Sequence, residues 1–369
     1  MSAIPAAQPT RPDPDPGLSP YPEQFVADYR DRGLWRGLSL PQEILDAADR
    51  HADRLALVTP EVRWGYAELA ERARNFGAGL LATTDLEPGE AVMFQMGNVA
   101  ETLVAYFGTL VAGLRPVCTL AQHGSREIGS LAEHVGARAT IVQADHGRGE
   151  TLKVARDLHS AGTLSTVIVA RGEAIGDGPT LEQLVENGSR SLAPEPVHPE
   201  QIAVFQLSGG TTGLPKVAPR QHEEYVYNSR AWAEALDWGP DTRILYPLPV
   251  MHNAGIALAV QPALLSGATL ILAPSASVPE LLDLIGSERP TSMPLVPPAL
   301  AVRMLEEPRS RQTDLSSIEQ FLVGGQALPT GVSERLRDEL GIAVRQMFGM
   351  AEGMFLLTPG DATEDVRHH

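Results

Sequence analysis

Short apolar runs alternate with longer stretches of helical periodicity through the first half of the chain. Pro41 to Ala52 and Tyr66 to Leu81 space their apolar residues as amphipathic helices do. Glu90 to Gln95 and Ala139 to Val142 are short runs typical of buried strands. Because strands that alternate with helices favour parallel pairing, the pattern predicts an α/β fold of layered parallel sheets with helices on both faces.

The same alternation resumes after a polar, proline-containing stretch from Gly188 to Glu200. Three apolar runs in this second half predict further strands: Ala268 to Leu272, Ser292 to Val296 and Ile318 to Val323. We therefore expect two subdomains of similar size, over residues 21 to 190 and 200 to 355. Residues 1 to 20 contain six prolines, a composition that predicts a disordered arm.

Composition and charge limit the class of protein. The formal net charge of -17 argues against nucleic-acid binding, because contact with phosphates needs a basic surface. The longest apolar region, Gly255 to Pro274, is interrupted by polar residues and a proline, so we assign it to the core and not to a membrane span. No charged segment followed by an apolar one opens the chain, and we therefore expect a cytoplasmic protein.

A glycine-rich segment carries the first candidate chemistry. Residues 207 to 216 read Leu-Ser-Gly-Gly-Thr-Thr-Gly-Leu-Pro-Lys and follow the apolar run Ile202 to Leu207, which predicts a buried strand. The glycines let the backbone approach an anion, the hydroxyls donate hydrogen bonds, and Lys216 supplies a positive charge. The spacing differs from the nucleotide P-loop, because Leu214 occupies the second glycine position. The segment predicts a phosphate-binding loop, and a solvated Gly/Thr hairpin is the alternative that these residues leave open.

A second segment, Gln346 to Gly353, follows the apolar run Gly341 to Val344, which predicts another strand of the same sheet. Glu352 offers the hard oxygen that magnesium needs, and Phe348 offers a flat face to a nucleotide base. Because ligands gather at the carboxyl ends of parallel strands, we expect the two segments to share one site. A surface glutamate that follows a core aromatic residue is the alternative.

Together the two segments resemble the adenylate-forming superfamily, and in detail its aryl-acid adenylating enzymes of the dihydroxybenzoate and salicylate type. The resemblance covers roughly residues 21 to 369, and the motifs agree in order and approximate spacing. The motifs are Ser208-Gly209-Gly210, Lys216-x-x-Pro219-Arg220-x-His222, Phe348-Gly349-Met350-Ala351-Glu352, Tyr21-Pro22-Glu23-Gln24-Phe25 and Trp64-x-Tyr66-x-Glu68-Leu69.

The resemblance implies that the protein binds ATP and magnesium, and it implies roles for residues of this chain. Those that would wrap the ATP phosphates are Ser208, Gly209, Gly210, Thr211, Thr212, Gly213 and Lys216. Those that would contact the rest of the nucleotide are Gly324, Gly325, Gln326, Phe348, Gly349, Met350 and Ala351. Glu352 would hold the metal, and the residues with a catalytic role would be Thr211, Thr212, Lys216 and Glu352.

The implied reaction joins an aryl carboxylate to the α-phosphorus of ATP, with release of pyrophosphate and no covalent enzyme intermediate. Such a transfer depends on positioning and on charge neutralisation. The acyl group would then pass to a phosphopantetheine thiol, on an aryl or peptidyl carrier protein of nonribosomal peptide or siderophore-type biosynthesis. Two alternatives stay open: an aryl- or acyl-CoA synthetase, and a non-catalytic scaffold that docks a carrier protein. Formation of a homodimer stays open as well.

The substrate class follows from the segment Leu248 to Asn253. Amino-acid adenylating domains place an aspartate near this point, whereas this chain has His252 and Asn253, so the resemblance implies an aryl acid. Asn253 would face the hydroxyl ortho to the carboxylate, to which an amide can donate and from which it can accept. Alternatively, Asn253 caps a helix that begins near Gly255.

Two positions depart from the dihydroxybenzoate enzymes, which carry an aromatic residue and a serine where this chain has Ala254 and Leu258. A second ring hydroxyl would then lack a partner, which costs about 1 to 3 kcal/mol when the hydroxyl is buried. Met347 and Phe355 are expected to line the same pocket. We predict that the substrate is salicylate or a bulkier acid, such as a hydroxyanthranilate, picolinate or quinaldate.

In the family, a ribose-binding aspartate, a hinge and a small carboxy-terminal domain with a catalytic lysine follow the glutamate motif. None of these is seen between Glu352 and His369. A lid of this kind normally brings the lysine to the reacting groups. The resemblance therefore implies that this chain binds ATP and the acid but forms the adenylate poorly.

Overall fold

The strands of the chain form two sheets. The structure, a computed structural model, describes residues 18–188, 195–209 and 215–363. The strands are β1 Leu55–Val58, β2 Arg63–Gly65, β3 Ala91–Gln95, β4 Arg115–Val117, β5 Ala139–Gln143, β6 Thr166–Ala170, β7 Ile202–Ser208, β8 Lys216–Gln221, β9 Arg243–Tyr246, β10 Thr269–Leu272, β11 Ser292–Val296, β12 Gln320–Val323, β13 Val344–Gly349 and β14 Phe355–Leu357. The eight-stranded sheet has the order β14-β13-β12-β11-β9-β10-β1-β2, and the six-stranded sheet has the order β6-β5-β3-β4-β7-β8.

Parallel pairing dominates both sheets, as the sequence predicts. The antiparallel pairs are β1 with β2, β7 with β8 and β13 with β14. The helices are α1 Glu23–Asp31, α2 Leu40–Arg50, α3 Tyr66–Thr83, α4 Ala100–Val111, α5 Ser125–Val135, α6 Glu150–Ser160, α7 Leu181–Asn187, α8 His222–Ala235, α9 Asn253–Gly255, α10 Gln261–Ser266, α11 Val278–Glu288, α12 Pro298–Glu306 and α13 Thr330–Leu340. Within the described ranges, no helix is both long and apolar enough to cross a membrane.

Alternate residues of the central strands face different cores, which confirms that helices cover both faces of the sheets. In β3, Val92 packs into a large central core, whereas Met93 packs into a core formed with α5 and α6. In β10, Leu270 packs into the central core, whereas Ile271 packs into a core formed with α11, α12 and α13. The central core contains residues of both sheets and of α2, α3, α4, α8 and α10, so this layer joins the two sheets.

The expectation that the two candidate loops follow strands of one sheet is wrong. β7 pairs with β4 in the six-stranded sheet, whereas β13 pairs with β12 in the eight-stranded sheet. The strand before the second loop also begins later than the apolar run Gly341 to Val344 predicts. Gly341 ends α13 with a φ of +70°, and the strand begins at Val344. An apolar run predicts a strand, but its pairing partner comes from a distant part of the chain.

The sheets also cross the boundary expected between residues 190 and 200. β1 and β2 join strands of the second half, and β7 and β8 join strands of the first half. Each sheet therefore contains strands from both sides of the proposed boundary, and the two subdomains stay a prediction. The proline-rich arm lies outside the described residues as far as residue 17.

Helices α3 and α4 approach each other closely at glycines. A Cβ on Gly77 would lie 2.7 Å from the carbonyl oxygen of Gly108. A Cβ on Gly108 would lie 2.6 Å from the carbonyl oxygen of Ala73 and 2.6 Å from Cδ1 of Phe76. Because both obstacles include backbone atoms, the two helices pack at this distance only with glycine at the contact.

The first residue of α8 is a buried histidine. His222 is 4% exposed, and its Nδ1 accepts a hydrogen bond from the backbone N–H of Leu40 at 3.2 Å. Burial, followed by the nearby charge of Arg115, lowers the pKa of His222 to about 3. The imidazole is therefore neutral in the folded protein at physiological pH, and it connects α8 to the start of α2.

We expect Gly108→Ala to destabilise the protein by about 1 to 3 kcal/mol, because overpacking forces α3 and α4 apart. The matched control is Gly286→Ala in α11, where an added Cβ has open space. That change should raise stability by about 0.5 to 1 kcal/mol through helix propensity. Urea unfolding midpoints measure both effects, and a midpoint for Gly108→Ala equal to that of Gly286→Ala would contradict the close packing.

We expect acidification to destabilise the protein partly through His222. The unfolded chain, in which the histidine pKa is near its usual value, binds a proton that the folded chain excludes until pH falls to about 3. Between pH 7 and pH 5 this difference costs about 2 kcal/mol of unfolding free energy. His222→Gln should flatten the loss of stability over that range, whereas His134→Gln at an exposed position should leave it unchanged. Equal pH profiles of the two variants would overturn the assignment.

Candidate functional site

An open groove of about 610 Å³ lies at the ends of β12, β13 and β14. The residues that line it are Gly325, Gln326, Ala327, Gln346, Met347, Phe348, Gly349, Leu356, Leu357 and Thr358. The structure thus brings together four residues expected to contact the nucleotide, from segments that follow or end different strands. Phe348 is 56% exposed, so its ring presents a free face to a planar ligand.

Two glycines allow close packing in and behind this groove. A Cβ on Gly324 would lie 2.3 Å from the sulfur of Met347, and a Cβ on Gly349 would lie 2.6 Å from Cδ1 of Phe355. A larger residue at either position would displace a side chain that is expected to line the substrate pocket. Both Gly324 and Gly325 are expected to contact the nucleotide. Gly324 is buried, and Gly325, with a φ of +85°, lines the groove.

The predicted phosphate loop connects two antiparallel strands. Ser208 ends β7 and lies opposite Lys216, which begins β8, and both Gly209 and Lys216 are exposed. The other predicted residues of the loop, Gly210, Thr211, Thr212 and Gly213, lie outside the described residues. The segment is therefore the connection of a hairpin, and its phosphate-binding role stays a prediction.

A buried arginine organises the space beside this hairpin. Arg220 lies in β8 with 1% of its surface exposed. Its Nε and Nη2 donate to the carboxylate of Glu224 at 2.8 and 2.7 Å, and Nη2 also donates to Oδ1 of Asn228 at 3.2 Å. Its Nη1 donates to the carbonyl of Ala351 at 3.0 Å and to Oδ1 of Asn253 at 3.4 Å. Burial, the largest single effect, lowers the pKa of Arg220, but the hydrogen bond and the charge of Glu224, with smaller contributions from Tyr225 and Tyr21, together outweigh it, so the pKa is raised.

The turn that carries Glu352 is held by this arginine and by α8. Arg220 binds the carbonyl that precedes Glu352, and Nδ2 of Asn228 donates to the carbonyl of Gly353 at 3.0 Å. Gly353 has a φ of +117°, and a Cβ there would lie 2.9 Å from Nη2 of Arg220, so glycine is required. Arg220 lies roughly 13 Å along β8 from Lys216. The hairpin and the Glu352 turn are therefore joined, although their strands belong to different sheets.

Glu352 suits a metal that arrives with a nucleotide. It is exposed at the turn, two residues after Met350, which is 42% exposed. Across the described part of the chain, no three His, Cys, Asp or Glu side chains converge as a metal site. Magnesium is commonly bound by one or two carboxylates together with substrate phosphates. A single carboxylate at this turn fits that donor set once a triphosphate supplies the other oxygens.

Asn253 faces the interior and does not cap its helix. It is 3% exposed, and its Oδ1 accepts hydrogen bonds from the hydroxyl of Tyr225 at 3.0 Å and from Arg220. The hydroxyl of Tyr225 in turn accepts from Nε2 of Gln206 at 3.0 Å. The cap of α9 is instead His252, which is exposed and whose Nδ1 accepts from the backbone N–H of Ala254. The capping alternative for Asn253 is therefore wrong.

The other expected pocket residues lie at the edge of the central core. Phe355 packs against Trp232 with ring centroids 5.8 Å apart at an interplanar angle of 62°. Met347 and Ala254 are each 8% exposed, which places them at the boundary between core and solvent. Leu258 is 1% exposed in a π-helical turn, and its contact with a substrate stays a prediction.

Sequence reasoning missed the residues that hold the site together. It included Arg220 in a motif but assigned no role to it, and it did not single out Tyr225, Asn228 or Trp232. A signal for them exists in the sequence. Arg220 stands two residues after the buried Ala218, on the same face of a strand, and the other three recur at helical spacing along one face of α8.

Comparisons with known proteins agree with this arrangement. The sequence pattern of the AMP-binding enzyme family matches residues 44–368. The chain is 34% identical over 354 residues to the vibriobactin-specific 2,3-dihydroxybenzoate-AMP ligase of Vibrio cholerae, covering 95% of this chain and 64% of that protein. It is 35% identical over 375 residues to the salicyl-AMP ligase / salicyl-S-ArCP synthetase of Mycobacterium tuberculosis, covering 98% of this chain and 66% of that protein.

A solved structure shows the same fold. The apo structure of Mycobacterium smegmatis MbtA superposes with a TM-score of 0.86 at 30% identity, over 95% of this chain and 64% of that one. The chain thus spans slightly less than two thirds of the length of these relatives. With the groove, the hairpin and the Glu352 turn in the expected order, and with the family pattern matched over residues 44–368, the chain belongs to the AMP-binding enzyme family.

Proposed function

We propose that the protein activates an aryl carboxylic acid with ATP, forming an aryl-AMP and releasing pyrophosphate. The observation that carries this proposal is the Arg220 network, which ties Asn253 on the acid side to the Glu352 turn and to β8 of the phosphate-loop hairpin. The names of two relatives, a 2,3-dihydroxybenzoate-AMP ligase and a salicyl-AMP ligase, support the same reaction.

In this proposal the chain contributes mainly positioning and positive charge. The groove beside Phe348 would hold the adenine, and Lys216 with the loop hydroxyls of Thr211 and Thr212 would hold the phosphates. Glu352 would share a magnesium ion with those phosphates, and the metal would neutralise their charge. The carboxylate oxygen of the acid attacks the α-phosphorus, and the electron pair of the breaking bond leaves with pyrophosphate.

The hydrogen-bond polarity of Asn253 narrows the class of acid. An arginine can only donate, so the atom of Asn253 that faces Arg220 is the carbonyl oxygen. The hydroxyl of Tyr225 is a second donor to the same oxygen, because it already accepts from Gln206. Both lone pairs of Oδ1 are thus occupied, and only the amide N–H₂ of Asn253 is left for a ligand.

A pocket that offers only a hydrogen-bond donor at this point selects an acid whose ortho group accepts a hydrogen bond. A phenolic oxygen and a ring nitrogen accept hydrogen bonds, whereas an aromatic amine is chiefly a donor. The expectation that Asn253 both donates and accepts is therefore narrowed to donation. We propose 2-hydroxyaryl acids, or acids with a ring nitrogen beside the carboxylate, over acids with an ortho amine.

We further propose that the acyl group passes to the phosphopantetheine thiol of an aryl carrier protein, in nonribosomal peptide or siderophore-type biosynthesis. The name salicyl-S-ArCP synthetase, which belongs to a relative at 35% identity, supports a carrier protein as the acceptor. In this proposal CoA is a poorer acceptor than the carrier protein.

Magnesium should raise the affinity of the protein for ATP. In Glu352→Gln this gain should be about tenfold smaller, because a neutral amide is a weaker ligand for a hard cation. Calorimetric titration of ATP with magnesium and with EDTA measures this gain. Glu334→Gln on the exposed face of α13 is the matched control and should leave it unchanged. A magnesium effect of equal size in all three proteins would contradict the assignment, and no ATP binding at all would favour a non-catalytic scaffold.

Thermal shifts with stable aryl-AMP mimics test the acid specificity. A 2-hydroxybenzoyl mimic should bind at least about tenfold more tightly than its 2-aminobenzoyl counterpart, because the amine leaves the N–H₂ of Asn253 without an acceptor. Asn253→Asp should reverse this order, and Tyr225→Phe, which frees one lone pair of Oδ1, should narrow it. Asn187→Asp, at an exposed position, should retain the preference. Equal binding of both mimics by the unmodified chain would refute the donor-only pocket.

A further inference from the structure

A second cavity lies among α2, α8 and α10, and it shares no lining residue with the groove beside Phe348. Its volume is about 210 Å³. The residues that line it are Arg36, Glu43, Arg50, Arg230, Ala233, Glu234, Trp238, Leu265 and Ser266. Nothing in the proposed adenylation reaction uses these residues.

Positive charge is in excess around this cavity, although the chain as a whole has a formal net charge of -17. Three arginines and two glutamates line the cavity. Glu43, which is 3% exposed, pairs with Arg36 at 3.3 Å. Within the described ranges, neither Arg50 nor Arg230 forms an ion pair with either glutamate.

Arg230 is the unusual member of this group. Its Nη2 donates to the backbone carbonyl of Leu34, but its Nε and Nη1 are buried and have no hydrogen-bond partner. Burial, followed by the nearby charge of Arg36, lowers the pKa of Arg230. Buried guanidinium N–H groups without acceptors are destabilising, and Glu43 and Glu234 act on Arg230 through their charge alone, so Nε and Nη1 call for an anion within hydrogen-bond distance.

Apart from Ser266, the remaining walls of the cavity are apolar. Trp238 and Ala233 are 8% and 5% exposed, and Leu265 stands at the end of α10. A water molecule occupies about 30 Å³ of liquid, so the cavity has room for several waters or for a small organic anion. Rotation of the Arg230 side chain towards the cavity would exchange its unpaired N–H groups for charge-assisted hydrogen bonds.

We propose that this cavity is a second ligand site, in which Arg50 at the rim and Arg230 at the floor bind the oxyanion group of a small molecule. Guanidinium groups match the geometry of carboxylates and phosphates. The shared chemistry is an oxyanion, and its source is either a phosphate or a carboxylate with an apolar body against Trp238. This site does not depend on the adenylation reaction.

The test is calorimetric titration of the chain with inorganic phosphate and, separately, with benzoate, at constant ionic strength. Arg50→Gln and Arg230→Gln should each weaken the better ligand by about tenfold or more, because a charge-assisted hydrogen bond is lost. Arg74→Gln, in α3 and away from the cavity, is the matched control and should bind as the unmodified chain does. Lys216→Gln should also retain binding, which separates this site from the phosphate loop.

The two ligands identify the source of the oxyanion. Tighter binding of benzoate, weakened further by Trp238→Ala, assigns the site to organic carboxylates, and tighter binding of phosphate assigns it to phosphate groups. Failure of both ligands to bind, or binding that survives Arg50→Gln unchanged, would overturn the proposal, because such binding belongs to another site such as the proposed acid pocket or the phosphate loop. Arg50 is exposed, so its variant tests the site even where Arg230→Gln alters folding. A melting temperature for Arg230→Gln that falls equally with and without ligand would show a purely structural residue and would also overturn it.

Discussion

The burial of Arg220 is the constraint on which the site depends. Taking a guanidinium out of water costs several kcal/mol unless acceptors surround it. Here each of its five N–H groups has one, from α8, from Asn253 and from the turn that precedes Glu352. The hydrogen bond to Ala351 spans 131 residues of sequence. A displaced acceptor would leave part of a buried cation unpaired, and the arginine therefore holds two sheets in one relative position at the site.

In the proposed function, the same charge determines the polarity of the pocket around the acid. Because Arg220 can only donate, it orients the amide of Asn253, and the chain of hydrogen bonds through Tyr225 to Gln206 reinforces that orientation. The group that a ligand meets is thus decided by residues behind the pocket. An asparagine with the same backbone position but other neighbours would offer both its carbonyl and its amide. Packing in the central core and the proposed selectivity for the ortho substituent are consequences of one network.

Two arginines of this region have opposite environments. Arg220, in β8, has an acceptor for every donor. Arg230, in α8, has buried donors without partners. Native proteins leave few buried polar groups unpaired, so each exception needs a physical explanation. The saturated arginine is part of the fold itself, and the unsaturated one lies at a cavity with further positive charge. The chain concentrates positive charge locally against a strongly acidic background.

The sequence by itself determined the local elements. The α/β alternation, the strand before the glycine-rich segment, the helix that starts at Tyr66 and the positions of both loops all follow from short-range periodicity and turn chemistry. Only the tertiary structure decided that β7 and β13 belong to different sheets, that His252 and not Asn253 caps α9, and that Oδ1 of Asn253 accepts from both Arg220 and Tyr225. The physical reason is that strand pairing and the satisfaction of a buried charge depend on partners far apart in the chain, which no local pattern records.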